Sequence, residues 1–256
     1  MIIKKIHFAI DKTPKAIKAK KILLKKNKNF TPQKSDVIVV VGGDGFMLHI
    51  LKKYQKFKKP FYGMNRGTFG FLMNKYKSKN INKFIIKSKP ITISALQMTA
   101  FTKNNVRKTA ISINEVSLLR QSKQTSYLKI LSNKKTIIKK LISDGVLIST
   151  PAGSTAYNLS VHGPILSLSS KRLAITPISP FRPRKWKGKI IASSSTVRIQ
   201  NLDIKKRPVS VVSDNVEVRN IKSVKLRINP LIKFKLLYDR NNNLSKKIKL
   251  EKFKKR

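Results

Sequence analysis

Up to about Pro90 the apolar positions alternate between two rhythms: short continuous runs, and segments in which apolar side chains recur every three or four positions. Met1 to Ala9 reads as a strand. Pro14 to Asn27 sets Ala16, Ile17, Ala19, Leu23 and Leu24 at helical spacing. Asp36 to Val41 is a β-branched run that ends on Gly42-Gly43, the pattern of a buried parallel strand with a glycine turn at its carboxyl end. Phe46, Met47, Ile50, Leu51 and Tyr54 then fall at helical spacing, and Phe61 to Met64 is another short strand before Asn65-Arg66-Gly67. Alternating β and α elements predict an open parallel sheet.

Beyond Pro90 the rhythm changes. Strands are predicted at Ile91 to Thr102, Ala110 to Leu119, Tyr127 to Ser132, Thr136 to Leu141 and Val146 to Ser149, with a hairpin turn at Ser132-Asn133-Lys134-Lys135. More follow at Leu173 to Ile178, Val197 to Gln200, Val209 to Val212 and Val224 to Ile228, with one short helix at Ser154 to Ser160. The expected architecture is α/β: an N-terminal open parallel-sheet α/β domain over residues 1–90, then a mostly β, sandwich-like domain over residues 91–237. For the lysine-rich tail, 238–256, a docked helix, a frayed end and packing back on the first domain all remain open.

The chain carries 58 Lys and Arg against 10 Asp and Glu, a net charge of +48. Clustered cations attract phosphate polymers, but these lysines run from Lys4 to Lys255 rather than forming one arm, and aromatic residues are not interleaved with a basic stripe. No specific nucleic-acid partner is therefore expected; a positive field still speeds capture of anionic substrates. No cysteine is present, which removes disulfides and thiol chemistry. No signal-peptide pattern and no apolar run of the roughly 18 residues a span needs is evident, so a cytoplasmic protein without membrane partners is expected. His7, His49 and His162 form no metal-ligand pattern; His49, one turn after Asp44, reads more simply as a helix histidine.

So few acids make each one informative. Asp44, Glu115 and Asp144 sit inside distinctive motifs. Gly42-Gly43-Asp44-Gly45 follows a strand, where open α/β sheets bind ligands and where glycines let a backbone approach a phosphate. Asp44 there takes a proton or holds a metal beside a phosphate, or else caps the next helix in a plain tight turn. Neither a P-loop nor a dinucleotide fingerprint is present. Asn65 to Leu72 forms a second glycine turn, set to pack Phe69 and Phe71 into the core. Asn114-Glu115 joins an amide to a carboxylate in an apolar strand, a pair able to grip a sugar diol. The longest motif, Ser143 to Ser160, joins a strand to Thr150-Pro151-Ala152-Gly153-Ser154-Thr155 and a helix start, with more hydroxyls than one cap needs.

In order, GGDG, N-x-G-x-x-G-F-L, N-E and D-G-x-x-x-S-T-P-x-G-S-T-A-Y-x-x-S resemble the NAD kinase family over residues 36–165, and Met64 to Asn74 with Thr176 to Arg184 look like its α-proteobacterial branch. GGDG alone is shared with lipid kinases and phosphofructokinases; the stretch from Asp144 to Ser160 is not. The resemblance implies transfer of the terminal phosphoryl group of ATP, or of polyphosphate, to the adenosine 2′-hydroxyl of NAD, at a site between the two domains. It implies Asp44 as general base and Gly42, Gly43 and Gly45 as the phosphate-donor loop, with Asp44 and Gly45 also contacting NAD. Asn114 and Glu115 would bind the ribose, Thr155, Ala156 and Tyr157 would line the adenine pocket, and Asp144 and Ser160 would face the nicotinamide end. Ala152, Asn158 and Leu159 complete the implied NAD-binding set. No protein metal ligand is implied; a divalent ion, Mg²⁺, would arrive with ATP. Homodimers or homotetramers are implied, with Ser179 near a shared part of the site. Ala152 and Asn215 depart from the family pattern, Ala152 by losing a hydroxyl.

Overall fold

The computed structural model describes residues 3–68 and 70–240. These fall into two compact units, one holding the residues up to Ile93 and again from Phe234, the other Ser94–Lys233.

In the first unit, β1 (Ile6–Ile10), β2 (Val37–Gly42) and β3 (Phe61–Asn65) lie parallel in that order. All six residues of β2 are buried, as a strand covered on both faces requires. Between the strands run α1 (Pro14–Lys26), with Pro14 at its first turn, and α2 (Asp44–Lys53). Ala16, Ala19 and Leu23 of α1 pack with Phe8, Val37, Val39 and Val41. A third helix, α3 (Ile81–Lys87), buries Ile81 and Ile85 in the same core. The sheet gains its last neighbour from far along the chain: Leu236 pairs in parallel with Phe61 of β3. Asn74 fixes that return. Its amide donates to Leu237 O at 2.9 Å and its Oδ1 accepts Asp239 N–H at 2.9 Å. Tyr62 donates its hydroxyl to Asp239 at 2.7 Å, and Lys77 pairs with the same carboxylate at 2.5 Å.

The second unit is almost wholly β, with β4 (Lys89–Thr102), β5 (Arg107–Ser112), β6 (Glu115–Arg120), β7 (Ser126–Ser132), β8 (Lys135–Ser149), β9 (Arg172–Arg182), β10 (Lys189–Ala192), β11 (Val197–Asn201), β12 (Val209–Ser213), β13 (Val216–Val218) and β14 (Ile221–Tyr238). Its strand order is β14-β11-β7-β8-β6-β12-β13, with β4 and β5 beside β14, and β9 and β10 beside β8. Leu96, Met98, Val116, Leu118, Val146 and Ile148 lie at the centre of its core.

Four expectations need correcting. Ala110 to Leu119 is not one strand: it breaks at Ile113-Asn114, whose N–H groups turn to the Asp214 carboxylate. Thr136–Leu141 and Val146–Ser149 are a single strand, β8. Gly145 does not interrupt it; an added Cβ there would come within 1.9 Å of Leu118 O, so this glycine permits a close strand approach. The helix at Ser154–Ser160 is a 3₁₀ turn (Gly153–Thr155) and a single α-turn, α4 (Tyr157–Ser160), split at Ala156 with φ −97° and ψ −130°. One turn carries little of the dipole expected of it. Strands β10 and β13 were not anticipated. The hairpin at Asn133-Lys134 is as expected, with φ of 47° and 68°, the doubly left-handed turn that suits strand twist. Phe69 and the segment 241–256 lie outside the described residues.

Candidate active site

The site residues of the first unit are set by two glycine turns lying backbone to backbone. Gly43 caps α2, whose Met47 N–H bonds Gly43 O at 3.0 Å. Arg66 N–H donates to Gly42 O at 2.8 Å, and a Cβ on Gly67 would stand 3.1 Å from Gly43 Cα. Gly42 has no room either, since its Cβ would meet the Phe46 ring at 2.9 Å. Asp44, the first residue of α2, turns its carboxylate to the second turn. It accepts Phe71 N–H at 2.7 Å and Leu72 N–H at 3.1 Å. A Cβ on Gly70 would come within 3.1 Å of Asp44 Oδ1. The motif Asn65 to Leu72 is thus the cradle of Asp44, a relation that spacing alone did not reveal. Among the described residues nothing approaches within 4 Å of the Cβ position of Gly45, so they leave the turn open on that side. Behind the site the buried Tyr238 phenol is pushed to a higher pKa by its burial and by the nearby Asp44 charge. His49 is exposed and stacks on Phe46 with ring centroids 6.4 Å apart.

In the second unit Asn114 and Glu115 are held by a residue that sequence reading left unassigned. Asp214 heads the two-residue hairpin between β12 and β13 at φ 49°. Its carboxylate takes the Ile113 N–H at 3.0 Å, the Asn114 N–H at 3.3 Å and the Ser112 hydroxyl, which is shared with Glu115 O. The long motif closes the other side. Thr150 N–H donates to Asn114 O at 2.9 Å, and Thr150 Oγ1 donates to Ile113 O at 2.6 Å and accepts Gly153 N–H at 3.2 Å. A Cβ on Gly153 would fall 2.3 Å from Asn114 O. Three buried polar atoms at this place have no hydrogen-bond partner among the described residues: Asn114 Oδ1, Glu115 Oε2 and Ser213 Oγ. Orphaned groups of this kind cost about 1–3 kcal/mol each, a cost that a polyhydroxyl ligand would relieve.

Burial, and then the Asp214 charge, push the Glu115 carboxyl up from 4.5 to about 7. The folded protein therefore holds this proton where the unfolded chain has released it. The stabilisation is fully present below the unfolded value and is lost as pH rises through the folded one. Thermal melts across this range should show stability falling from about pH 4.5 to 7 more steeply in the parent than in Glu115→Gln. Parallel curves would remove Glu115 as the titrating group.

The other expected positions divide by exposure. Thr155, Ala156 and Leu159 are half-buried, while Tyr157 and Ser160 are exposed. Ala152 is buried, and so is Asn158, whose amide is used inside the fold: it donates to Ser154 O and Pro164 O and accepts the Thr176 hydroxyl at 2.7 Å. Asn158 thus holds the α4 turn in place, with its side chain committed to that role. Asp144 is not beside Glu115. Glu115 pairs with Ser149, and Asp144 lies five positions back along β8, about 17 Å away at strand rise. There it pairs with Arg120 Nε at 2.5 Å, both side chains partly exposed. Among the described residues no three His, Cys, Asp or Glu side chains gather as a metal site, and no helix is long and apolar enough to cross a membrane.

A parallel α/β unit with a carboxylate in its glycine turn, and a β-rich unit with unpartnered oxygens at Asn114 and Glu115, form a two-part fold also seen in kinases of nicotinamide cofactors. A yeast NADH kinase crystallised with NADH superimposes with a TM-score of 0.80 at 20% identity, covering 99% of this chain and 89% of that one. An NAD kinase from Archaeoglobus fulgidus in complex with ATP gives 0.76 at 19% identity, covering 96% and 99%. The family pattern described as the ATP-NAD kinase N-terminal domain matches residues 3–87, and that of the ATP-NAD kinase C-terminal domain matches 113–229. NAD kinases of Brucella suis and Rhizobium meliloti, both α-proteobacteria, are 42% identical over 97% of both chains and 45% identical over 87% of this chain and 86% of the relative. The chain belongs to the NAD kinase family.

Proposed function

We propose that this protein transfers the terminal phosphoryl group of ATP to the 2′-hydroxyl of the adenosine ribose of NAD, giving NADP and ADP. The observation that carries the catalytic assignment is the Asp44 carboxylate, fixed by two backbone N–H groups at the mouth of a glycine turn. As the oxygen–phosphorus bond forms and the bond to ADP breaks, the hydroxyl proton passes to Asp44 and then to water. Such a base is worth about 10²–10⁴ in rate, and positioning and charge neutralisation supply much of the rest. The donor phosphates approach the turn on the side of Gly45, while Gly42 and Gly43 shape it by packing against Phe46 and Gly67. A divalent ion would be held by those phosphates and water, since Mg²⁺ needs few protein ligands and no protein cage is formed among the described residues. Asn114 and Glu115 take the ribose through their unpartnered oxygens. Thr155, Ala156 and Tyr157 line the adenine, with Leu159 beside them, and Asp144 and Ser160 hold the nicotinamide end. A homodimer or homotetramer, checked by light scattering, is part of the same reading.

The test is NADP formation from NAD and Mg-ATP by the purified protein, read with an NADP-specific dehydrogenase. A folded sample inactive with ATP and with polyphosphate would reject the assignment. Asp144→Ala should raise the Michaelis constant for NAD several-fold with little change in kcat. Its partly exposed ion pair with Arg120 contributes at most about 1 kcal/mol, so melting should hardly move. An unchanged Michaelis constant would remove Asp144 from the substrate.

A further inference from the structure

The sheet of the second unit has a basic face that the proposed reaction does not use. Along β14, Ser223, Lys225 and Arg227 share one side, as residues two apart do in a strand. Arg198 of β11 lies directly opposite Lys225, and Leu131 of β7 lies on the other side of Arg198. Two hollows open here. One, of about 400 Å³, gathers Arg107, Arg198, Lys225 and Arg227 with the hydroxyls of Thr99 and Ser223. The other, of about 580 Å³, is lined by Lys134 and Asn133 and again by Arg198 and Lys225. Sharing that pair makes the two hollows one track.

We propose that this track binds a linear chain of phosphates. Among the described residues no acidic side chain lines either hollow. Two cations directly opposite each other on neighbouring strands repel, and an anion lying over Arg198 and Lys225 turns that repulsion into attraction. Three of the cations are arginines, whose forked guanidinium groups match phosphate oxygens in pairs. From Arg107 on β5 the track crosses β4, β14 and β11 to the β7 hairpin, four strand spacings or about 19 Å. That reach exceeds a single phosphate and suits several in succession. Among the described residues Phe101 is the one aromatic in the linings and they form no platform on which successive bases could stack, so recognition runs through phosphate.

Because the whole chain is cationic, the test needs a charge-matched control. Binding of fluorescent polyphosphate and of a single-stranded oligonucleotide would be measured against salt for the parent, for R198Q/K225Q/R227Q on the track, and for K18Q/K21Q/K25Q on the exposed side of α1. The track variant should lose about tenfold or more in affinity and about 2 in the logarithmic salt slope, as losing three phosphate contacts requires. The control should lose less than about twofold. Loss with both probes, or with polyphosphate only, upholds the track; loss with the oligonucleotide only overturns it, because the track would then read more than phosphate. Equal losses in the two variants, or none in the track variant, overturn it. Should the triple variant misfold, Lys225→Gln alone suffices: without ligand it should melt no lower than the parent, since it removes an opposed like charge, and it should still bind phosphate chains more weakly. Undiminished binding by that variant likewise overturns the proposal.

Discussion

Asp44→Asn is expected to lower kcat for NADP formation by about 10²–10⁴-fold while leaving the Michaelis constant for NAD within a few-fold. The amide has nearly the shape of the carboxylate and keeps one oxygen for the Phe71 or Leu72 N–H. It cannot accept the ribose proton. Losing one of two backbone hydrogen bonds should cost about 1 kcal/mol, so the variant should fold and melt slightly early. This pattern separates chemistry from scaffolding. If Asp44 only tied the second glycine turn to α2, the variant would lose stability and substrate binding together, with kcat little changed. Near-parent turnover in a folded Asp44→Asn protein would end the general-base assignment.

The second large effect is expected at a residue that never touches substrate in this scheme. Asp214→Ala removes the acceptor of three donors at once: the Ile113 and Asn114 N–H groups and the Ser112 hydroxyl. The Ser112 hydroxyl keeps Glu115 O, but leaving the two N–H donors unsatisfied costs about 1–3 kcal/mol apiece, so a loss of roughly 2 kcal/mol or more is expected in thermal or urea unfolding. Asn114 and Glu115 lose their anchor as well, and the Michaelis constant for NAD should rise about tenfold or more, the equivalent of 1.4 kcal/mol of binding. Removing the Asp214 charge also lets the Glu115 carboxyl move back toward its ordinary value, so the stability change between about pH 4.5 and 7 should shrink. A variant that melts early but binds NAD normally would show that Asp214 supports the fold and not the site.

Local signals made much of this molecule legible. The run Val37 to Val41 announced a strand buried on both faces, because nothing polar interrupts it. Pro14 marked the start of α1, and Asn133 marked a tight hairpin, because proline suits a first helical turn and asparagine tolerates the left-handed backbone. The site motifs could be recognised one at a time, but their assembly could not. Asp214 lies 102 positions from Ser112 and looks in sequence like any turn acid. Asp144-Gly145 resembled a break, because a glycine in a strand gives no sign that it is there for the carbonyl of Leu118. The run Ser154 to Ser160 has the composition of a helix, yet Ala156 takes angles no helix permits, and Asn158 secures the α4 turn through partners outside it. In each case the missing information was a contact between distant segments.

The return of β14 to β3 has a consequence for how the protein is made. The Tyr62 hydroxyl bond to Asp239 spans 177 positions. At about 5–20 residues per second a ribosome needs roughly 10–35 s to cover that distance. For that interval the three parallel strands of the first unit have been synthesised, but the free edge of β3 has no neighbour, and Asn74 lacks the Leu237 carbonyl that its amide will serve. An unpaired strand edge on a growing chain is a place where a second nascent chain can dock. The part of the protein that is translated first is thus among the last to be completed, and the yield of folded enzyme should depend on how well that edge is guarded on the ribosome.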